Sequence, residues 1–413
     1  MSALFRMVAA AACVGLICGA AWTAWGQAPE EVGRYADRTA LWEQVGGDLL
    51  HGFYNMYNLH IVRVSEDAAY PYRGWFFGWS VGSCNPGYPG CDAIFAARAP
   101  MLEGPWEVYR GDGEDGPIWD ADMDPARWVP VIAGGETNYD NWHNGDPSVV
   151  RREGVYYMVY SATGHNKDGI PYGQEGDTDS DISCVMGATS RDGLHWERTE
   201  APVLVYAPNW GQAPRAPGDY MHERGLYHRP TLLWEEGTWR AWFDCFHGNA
   251  DTDTYMFSMA YAENTGDFAS SEDWRVIRGM DAPCILQFPN PDVVRVGAVL
   301  FAYGDPGGYA GEGWATRKTA EAASVNGRDW VLLGYMEPDA DVQANQVPEA
   351  YVEEEDGKTW IYLTYGGQIP GDYRYDRIRM KRRSVSEEEL AALRKLCAGA
   401  SGPAPFERRP TEE

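Results

Sequence analysis

Side chains able to give and take protons gather beside short phrases of β-branched and aromatic residues. His143, Asn144 and Asp146 open one such phrase, and His222, Glu223, His228 and Arg229 open the next. Asn58, Asn290, Asp292 and Gln346 open others, while Trp79, His165, Asp244, His247, Asp305 and Gln368 follow the phrases that come after. Five of the chain's eight histidines fall in this set, and a strand has no need of histidine at such places. Carboxylates and imidazoles brought together can act as general acid and base, one group giving a proton while another accepts one. Asp146, Asn290 and Gln346 also offer hard oxygens, which allow a calcium ion among them. No spacing demands an ion, and the chemistry requires no cofactor.

Convergence of residues so far apart in sequence needs a repeating scaffold, and the chain contains one. Residues 145–152, the turn Glu153-Gly154 and residues 155–161 form a strand, a tight turn and an aromatic-rich strand. The phrase recurs at 229–234, Glu236-Gly237 and 239–243, at 291–295, Val296-Gly297 and 299–303, and at 348–352, Asp356-Gly357 and 360–365. A weaker copy occupies 58–63, Arg73-Gly74 and 75–80. Third and fourth strands are expected at 93–97 and from Gly104-Pro105-Trp106-Glu107-Val108, at 184–190 and 195–198, at 255–261 and 274–277, and at 313–319 and 329–332. The last copy adds 376–381 and would be closed by a strand from near 48–53. Helices are expected at 387–397, capped by Ser384 or Ser386, and at 34–44.

Radially repeated four-stranded units describe an all-β fold, a five-bladed β-propeller of four-stranded antiparallel blades. The first strands should open near Asn58, Asp146, Arg229, Asn290 and Val347 and line the axis. Because the second strand of each unit returns antiparallel, first-strand starts and second-strand ends share one face. Asp146 and His228 are thereby expected across one pocket, with Glu223 or Asp292 within reach.

The remaining features bound the setting. Arg6, an apolar run at 7–21 and small residues at Ala24, Gly26 and Ala28 read as a signal peptide over 1–28, with a retained anchor helix as the other reading. The propeller domain is assigned to 29–383, and 384–413 to a helix and a Pro-rich, charged tail expected to be disordered from 402. The mature protein is expected to be exported, periplasmic or extracellular, with no membrane contact once the leader is cleaved. Of eight cysteines, Cys13 and Cys18 lie in the leader. Cys84 and Cys91 bracket a Gly/Pro-rich loop and are the expected disulfide; Cys184, Cys245, Cys284 and Cys397 are either buried thiols or paired. A formal net charge of −27 repels phosphate backbones, so nucleic acid is excluded as a partner. The 18 Trp and 25 Tyr serve both β cores and the faces of sugar rings.

The openings Gly145-Asp146-Pro147-Ser148-Val149 and His228-Arg229-Pro230-Thr231-Leu232, with the Gly104-Pro105-Trp106-Glu107 turn, resemble the five-bladed glycoside hydrolases. That group includes families 43, 32, 68, 117 and 130, and the resemblance spans roughly residues 50 to 383. It implies cleavage of glycosidic bonds in an extracellular glycan, with carbohydrate as the partner. Family 43 enzymes carry an Asp base, an Asp that tunes pKa and a Glu acid at successive blade starts. Asp146 matches the second, but Asn58 stands at the first and His228 at the third. An amide cannot serve as a base. Family 117 enzymes use a histidine acid, which makes His228 chemically reasonable if a carboxylate holds it protonated. The missing base falls to Glu223, Asp292 or Asp244, and Asn58, His143, Asn144, His165, Arg229, Asp244, His247 and Asn290 are assigned to substrate binding. The alternatives are a structural Asp146 bonded to backbone amides, a satisfied core His228, and a non-catalytic carbohydrate-binding propeller. The turn Asp192-Gly193-Leu194-His195-Trp196, with Ser190, resembles the sialidase Asp-box without its usual spacing and is expected only to close a hairpin.

Overall fold

The computed structural model describes residues 36–53, 55–79, 92–135, 137, 139–141, 143–164, 182–206, 226–249, 254–280, 282–306, 317–371 and 375–400. The leader, Cys84, Cys91, His165, His222, Glu223 and the tail from 401 lie outside them. Almost every regular element is a strand. Strands β1 (Ala36–Asp37) and β2 (Glu43–His51) precede β3 (Asn55–Arg63), β4 (Tyr72–Trp79), β5 (Asp92–Ala99), β6 (Glu107–Gly113) and β7 (Gly116–Asp120). One four-stranded sheet holds β8 (His143–Arg152), β9 (Val155–Gly164), β10 (Ile182–Ser190) and β11 (Glu197–Arg198). The next holds β12 (Leu226–Glu235), β13 (Thr238–Asn249), β14 (Thr254–Asn264) and β15 (Trp274–Arg278).

A third sheet is built from β16 (Asp292–Val296), β17 (Val299–Gly304), β18 (Thr319–Ser324) and β19 (Val331–Met336), with β1 added on its edge. The chain ends with β20 (Asn345–Glu355), β21 (Lys358–Gln368), β22 (Tyr375–Val385) and the helix α1 (Glu387–Cys397). These last strands join β2 to β7 in a nine-stranded sheet, in which β22 meets β3 in parallel at the pair Tyr375 and Asn55. The innermost strands β3, β8, β12, β16 and β20 touch in cyclic order, and β20 returns to β3. The sheets are thus wrapped around one axis.

Sequence dictates the hairpins directly. Glu153-Gly154, Glu236-Gly237 and Asp356-Gly357 all have positive φ at both residues, from 49 to 81°. That is the conformation of a type I′ turn, which matches the twist of paired strands and favours glycine at its second position. Apolar side chains then fill the spaces between successive sheets. Trp75 and Ile94 pack with Val149, Tyr160 and Met186, and Val159 and Val185 pack with Phe243 and Ala260.

The Ser190–Trp196 turn does more than close its hairpin. Asp192 accepts hydrogen bonds from the amides of Leu194 and His195, as such a turn should. Gly193 O also accepts from Trp196 Nε1 and from Trp75 Nε1 at 2.8 Å, the latter on β4 of the preceding sheet. A Cβ on Gly193 would stand 2.8 Å from the Trp75 ring. The same device recurs where Gly327 O accepts from Trp330 and from Trp242 on β13.

Three expectations need correction. Residues 36–44 form no α-helix: β1 and β2 are recruited by open edges on β19 and β22, separated by a 3-10 turn at Thr39–Leu41. The strand expected at 313–319 runs instead over Thr319–Ser324. Its sequence, Thr-Ala-Glu-Ala-Ala-Ser, has weak strand propensity but is wholly buried between neighbours, so packing overrides preference. The closing strand begins earlier than expected, at Glu43. The helix α1 does follow Ser386, whose side chain accepts from the Glu389 amide. Cys184, Cys245, Cys284 and Cys397 are buried free thiols. No helix among the described residues is long and apolar enough to cross a membrane.

Candidate functional site

Each innermost strand carries the same irregularity. Asn58, Asp146, Arg229, Asn290 and Val347 have φ between 47 and 58° although none is glycine. At four of them the ladder slips, between Tyr57 and His60, Gly145 and Ser148, His228 and Thr231, and Gln346 and Glu349. Asn290 stands two residues before β16. These bulges turn one side chain per strand toward the axis, a use bulges commonly serve beside functional sites.

Side chains from neighbouring strands hold several bulges in place. The amides of Arg229, Asn290 and Val347 donate to Ser161 Oγ, Asp244 Oδ1 and Asp305 Oδ2 at 2.7 to 2.8 Å. The corresponding places facing Asp146 and Asn58 are taken by Phe77 and Gly366, which have no side-chain acceptor.

The bulge residues and their immediate neighbours form one polar group. Asp146 is 1% exposed, yet neither of its carboxylate oxygens has a hydrogen-bond partner. His228 Nε2 lies 4.0 Å from its Oδ2 and Arg229 Nε 3.7 Å, both outside hydrogen-bonding distance. The rings of His143 and His228 stack at 5.6 Å. His143 Nδ1 bonds to Asp92, and its buried Nε2 has no partner. Asn58 Oδ1, Asn144 Oδ1, Arg229 Nε and Asp244 Oδ2 are likewise buried and unpartnered. Buried polar atoms are nearly always paired, so this concentration marks a place built to meet something else.

Protonation follows the surroundings. Burial would lower the His143 pKa, but the Asp92 charge and hydrogen bond outweigh it and raise the value above the ordinary range. Burial first, then the charges of Arg229 and His143, push His228 well below its usual value. The neutral imidazole is therefore favoured at His228, where the sequence reading required a proton. Burial raises the Asp244 carboxyl well above the carboxylate range against the pull of Arg229. Burial, partly offset by Arg317, raises Asp305 as well.

Other expected residues have different neighbours. Asp292 does not join Asp146; it lies with His60 and Glu349, deeper in the ring, two residues beyond the bulge position. Its oxygens accept from Thr231 Oγ1 at 2.7 Å and from the Ala350 amide at 2.6 Å. Burial and then the Glu349 charge push it up to about 8. Asn290 Oδ1 and Gln346 Oε1, two of the oxygens offered for calcium, accept from Arg229 and Arg317. Guanidinium groups thus place positive charge where that reading puts the ion. His247 lies on β13, with its side chain outside the described residues. A structural Asp146 satisfied by backbone amides is not what the geometry gives.

Sequence reasoning missed Asp92, His60 and Glu349. The signal for Glu349 was present. In four copies the residue before a proline is the bulge and the residue after it faces the ring: Ser148, Thr231, Asp292 and Glu349. In the first copy Leu59 replaces the proline, and His60 takes the ring position.

No protein-family profile and no curated protein sequence matches the chain. Solved structures do. A complex of BT0996 with RGII is similar at 13% identity and a TM-score of 0.55, covering 93% of this chain and 99% of that one. A glycoside hydrolase is similar at 12% identity and 0.53, covering 93% and 97%. Zg3597, a family 117 glycoside hydrolase from the marine bacterium Zobellia galactanivorans, is similar at 12% identity and 0.50, covering 86% and 91%. The chain has the β-propeller fold of these glycoside hydrolases, as its sequence resemblance implied.

Proposed function

We propose that the protein is an exported five-bladed propeller glycoside hydrolase acting on a glycan outside the cytoplasm. The blade count takes the nine-stranded sheet as two blades joined at Tyr375 and Asn55, which agrees with five innermost strands closing one ring. The observation that carries the activity is the buried, unpartnered Asp146 carboxylate within a ring of other unpartnered polar atoms. Hydrolysis of a glycoside needs a carboxylate to take a proton from water and an acid to protonate the leaving oxygen. Asp146 is assigned the first role. Asp244, which burial keeps protonated, is assigned the second, in place of the neutral His228. Both carboxyl groups interact with Arg229, and environments that set two carboxyls apart are how one site runs acid and base chemistry. As water attacks the anomeric carbon, its proton passes to Asp146, the glycosidic C–O bond breaks, and the leaving oxygen takes the Asp244 proton.

The test is a screen of the purified protein against glycans and aryl glycosides. Cleavage that falls on the order of a hundredfold in Asp146→Asn supports the reading. Full activity in that variant removes Asp146 from the mechanism. Tight glycan binding without cleavage across the panel would replace the hydrolase with a binding protein.

A further inference from the structure

We propose that His143, Asp146 and His228 form a site for one divalent transition-metal ion of the zinc class. One nitrogen from each imidazole and one oxygen of the carboxylate lie within 4.8 Å of one another. The carboxylate is buried and both its oxygens are unpartnered, so it can accept a ligand without breaking a hydrogen bond. His143 uses Nδ1 on Asp92 and keeps Nε2 buried and free, the arrangement in which a carboxylate orients a metal-binding imidazole. His228 Nε2 stands 4.0 Å from Asp146, too far to bond it directly. An ion held at about 2.0 to 2.2 Å from each donor fits between them after small side-chain adjustments. Two imidazoles and one carboxylate suit a borderline ion and not calcium, which prefers an all-oxygen shell.

A second cluster in the same ring shows what a filled set looks like. His60, Asp292 and Glu349 offer the same ligand types within the same span. There, both His60 nitrogens are engaged, by Glu349 at 2.9 Å and Val149 O at 2.8 Å, and both Asp292 oxygens accept hydrogen bonds. That trio has spent its donors on the fold; the His143 trio has not. Arg229 Nε, 3.7 Å from Asp146 and making no hydrogen bond, is the cation with which the ion competes. The site is independent of the hydrolase reading, since it needs no glycan. Under that reading the ion would stand beside the water that Asp146 activates.

The experiment uses the full chain, stripped with a chelator and titrated with Co(II) for visible d–d absorption and with Zn(II) by calorimetry. One equivalent should bind with micromolar or tighter affinity near neutral pH. His143→Ala, Asp146→Asn and His228→Ala should each weaken binding on the order of tenfold or more. Asp292→Asn should bind as the parent does. Zn(II) should also raise the unfolding temperature of the parent and of Asp292→Asn, but not of Asp146→Asn, which separates lost binding from lost folding. Failure of the parent to bind either metal at millimolar concentration would overturn the proposal, and so would binding undiminished in any of the three ligand variants.

Discussion

Asp146 and Ser148 stand two residues apart on one strand, and each belongs to a ring of five around the axis. Ser148 shares its level with His60, Thr231, Asp292 and Glu349. At that level strand is tied to strand: Ser148 Oγ accepts from the Leu232 amide at 3.0 Å, Thr231 Oγ1 from Val293, and Asp292 from Thr231 and Ala350. The Val149 carbonyl can only accept, so His60 Nε2 must carry the proton facing it. Burial lowers His60 and raises Glu349 well above the carboxylate range, so the carboxyl donates to His60 Nδ1 while its other oxygen accepts from Asn58 Nδ2. At the level of Asp146 the same burial leaves Asn58 Oδ1, both Asp146 oxygens and Arg229 Nε without partners. Equal burial therefore carries opposite meanings. One ring uses its polar atoms to hold the strands together, and the other keeps them for a ligand.

Substitutions can break that contrast. The largest effect is expected from Glu349→Ala, which strands His60 Nδ1 and Asn58 Nδ2 and should cost about 3 kcal/mol or more in urea unfolding. Asp146→Asn should do the reverse, losing turnover on the order of a hundredfold while the unfolding midpoint holds or rises, because it removes a buried group that bonds nothing. A midpoint that fell as far as that of Glu349→Ala would erase the distinction between the rings.

Asp292 sharpens it through pH. Its folded pKa of about 8 is raised from 3.8, so the folded chain keeps a proton that the unfolded chain has already released. The stability from this group is whole below about pH 4 and is lost as pH rises toward 8. Asp292→Asn should flatten the fall in unfolding temperature across that window, and an unchanged slope would show that the carboxyl does not titrate there. Ser148→Ala should have the smallest effect, about 1 kcal/mol from an unpaired Leu232 amide, with catalysis untouched.

The repeat, its turns and the shared face of the polar residues were legible because each rests on local chemistry: β-branched alternation, X-Gly turns and antiparallel return. The levels within the ring were not. Whether Asp292 faces a ligand or Thr231 depends on a bulge, which shifts register without leaving a composition signal. The Asp92 and His143 pair joins different sheets, 51 positions apart, and the protonation of His228 depends on charges supplied by Arg229 and His143. Thr319–Ser324 escaped notice because alanine says little about strands until neighbours bury it.

One pairing bears on how the chain reaches this state at all. β2, near the start of the sequence, takes its hydrogen bonds from β22, with Glu43 opposite Arg382. The first strand made thus waits for one of the last, across a loop whose closure entropy no local contact repays. Individual hairpins can form as they emerge, but the ring cannot shut until residue 385 is free to fold back. Synthesis or translocation halted before that point would leave β2 and the edge of β3 open to strangers. The axial group, drawn from strands all around the ring, is consequently among the last parts of the molecule to come into existence.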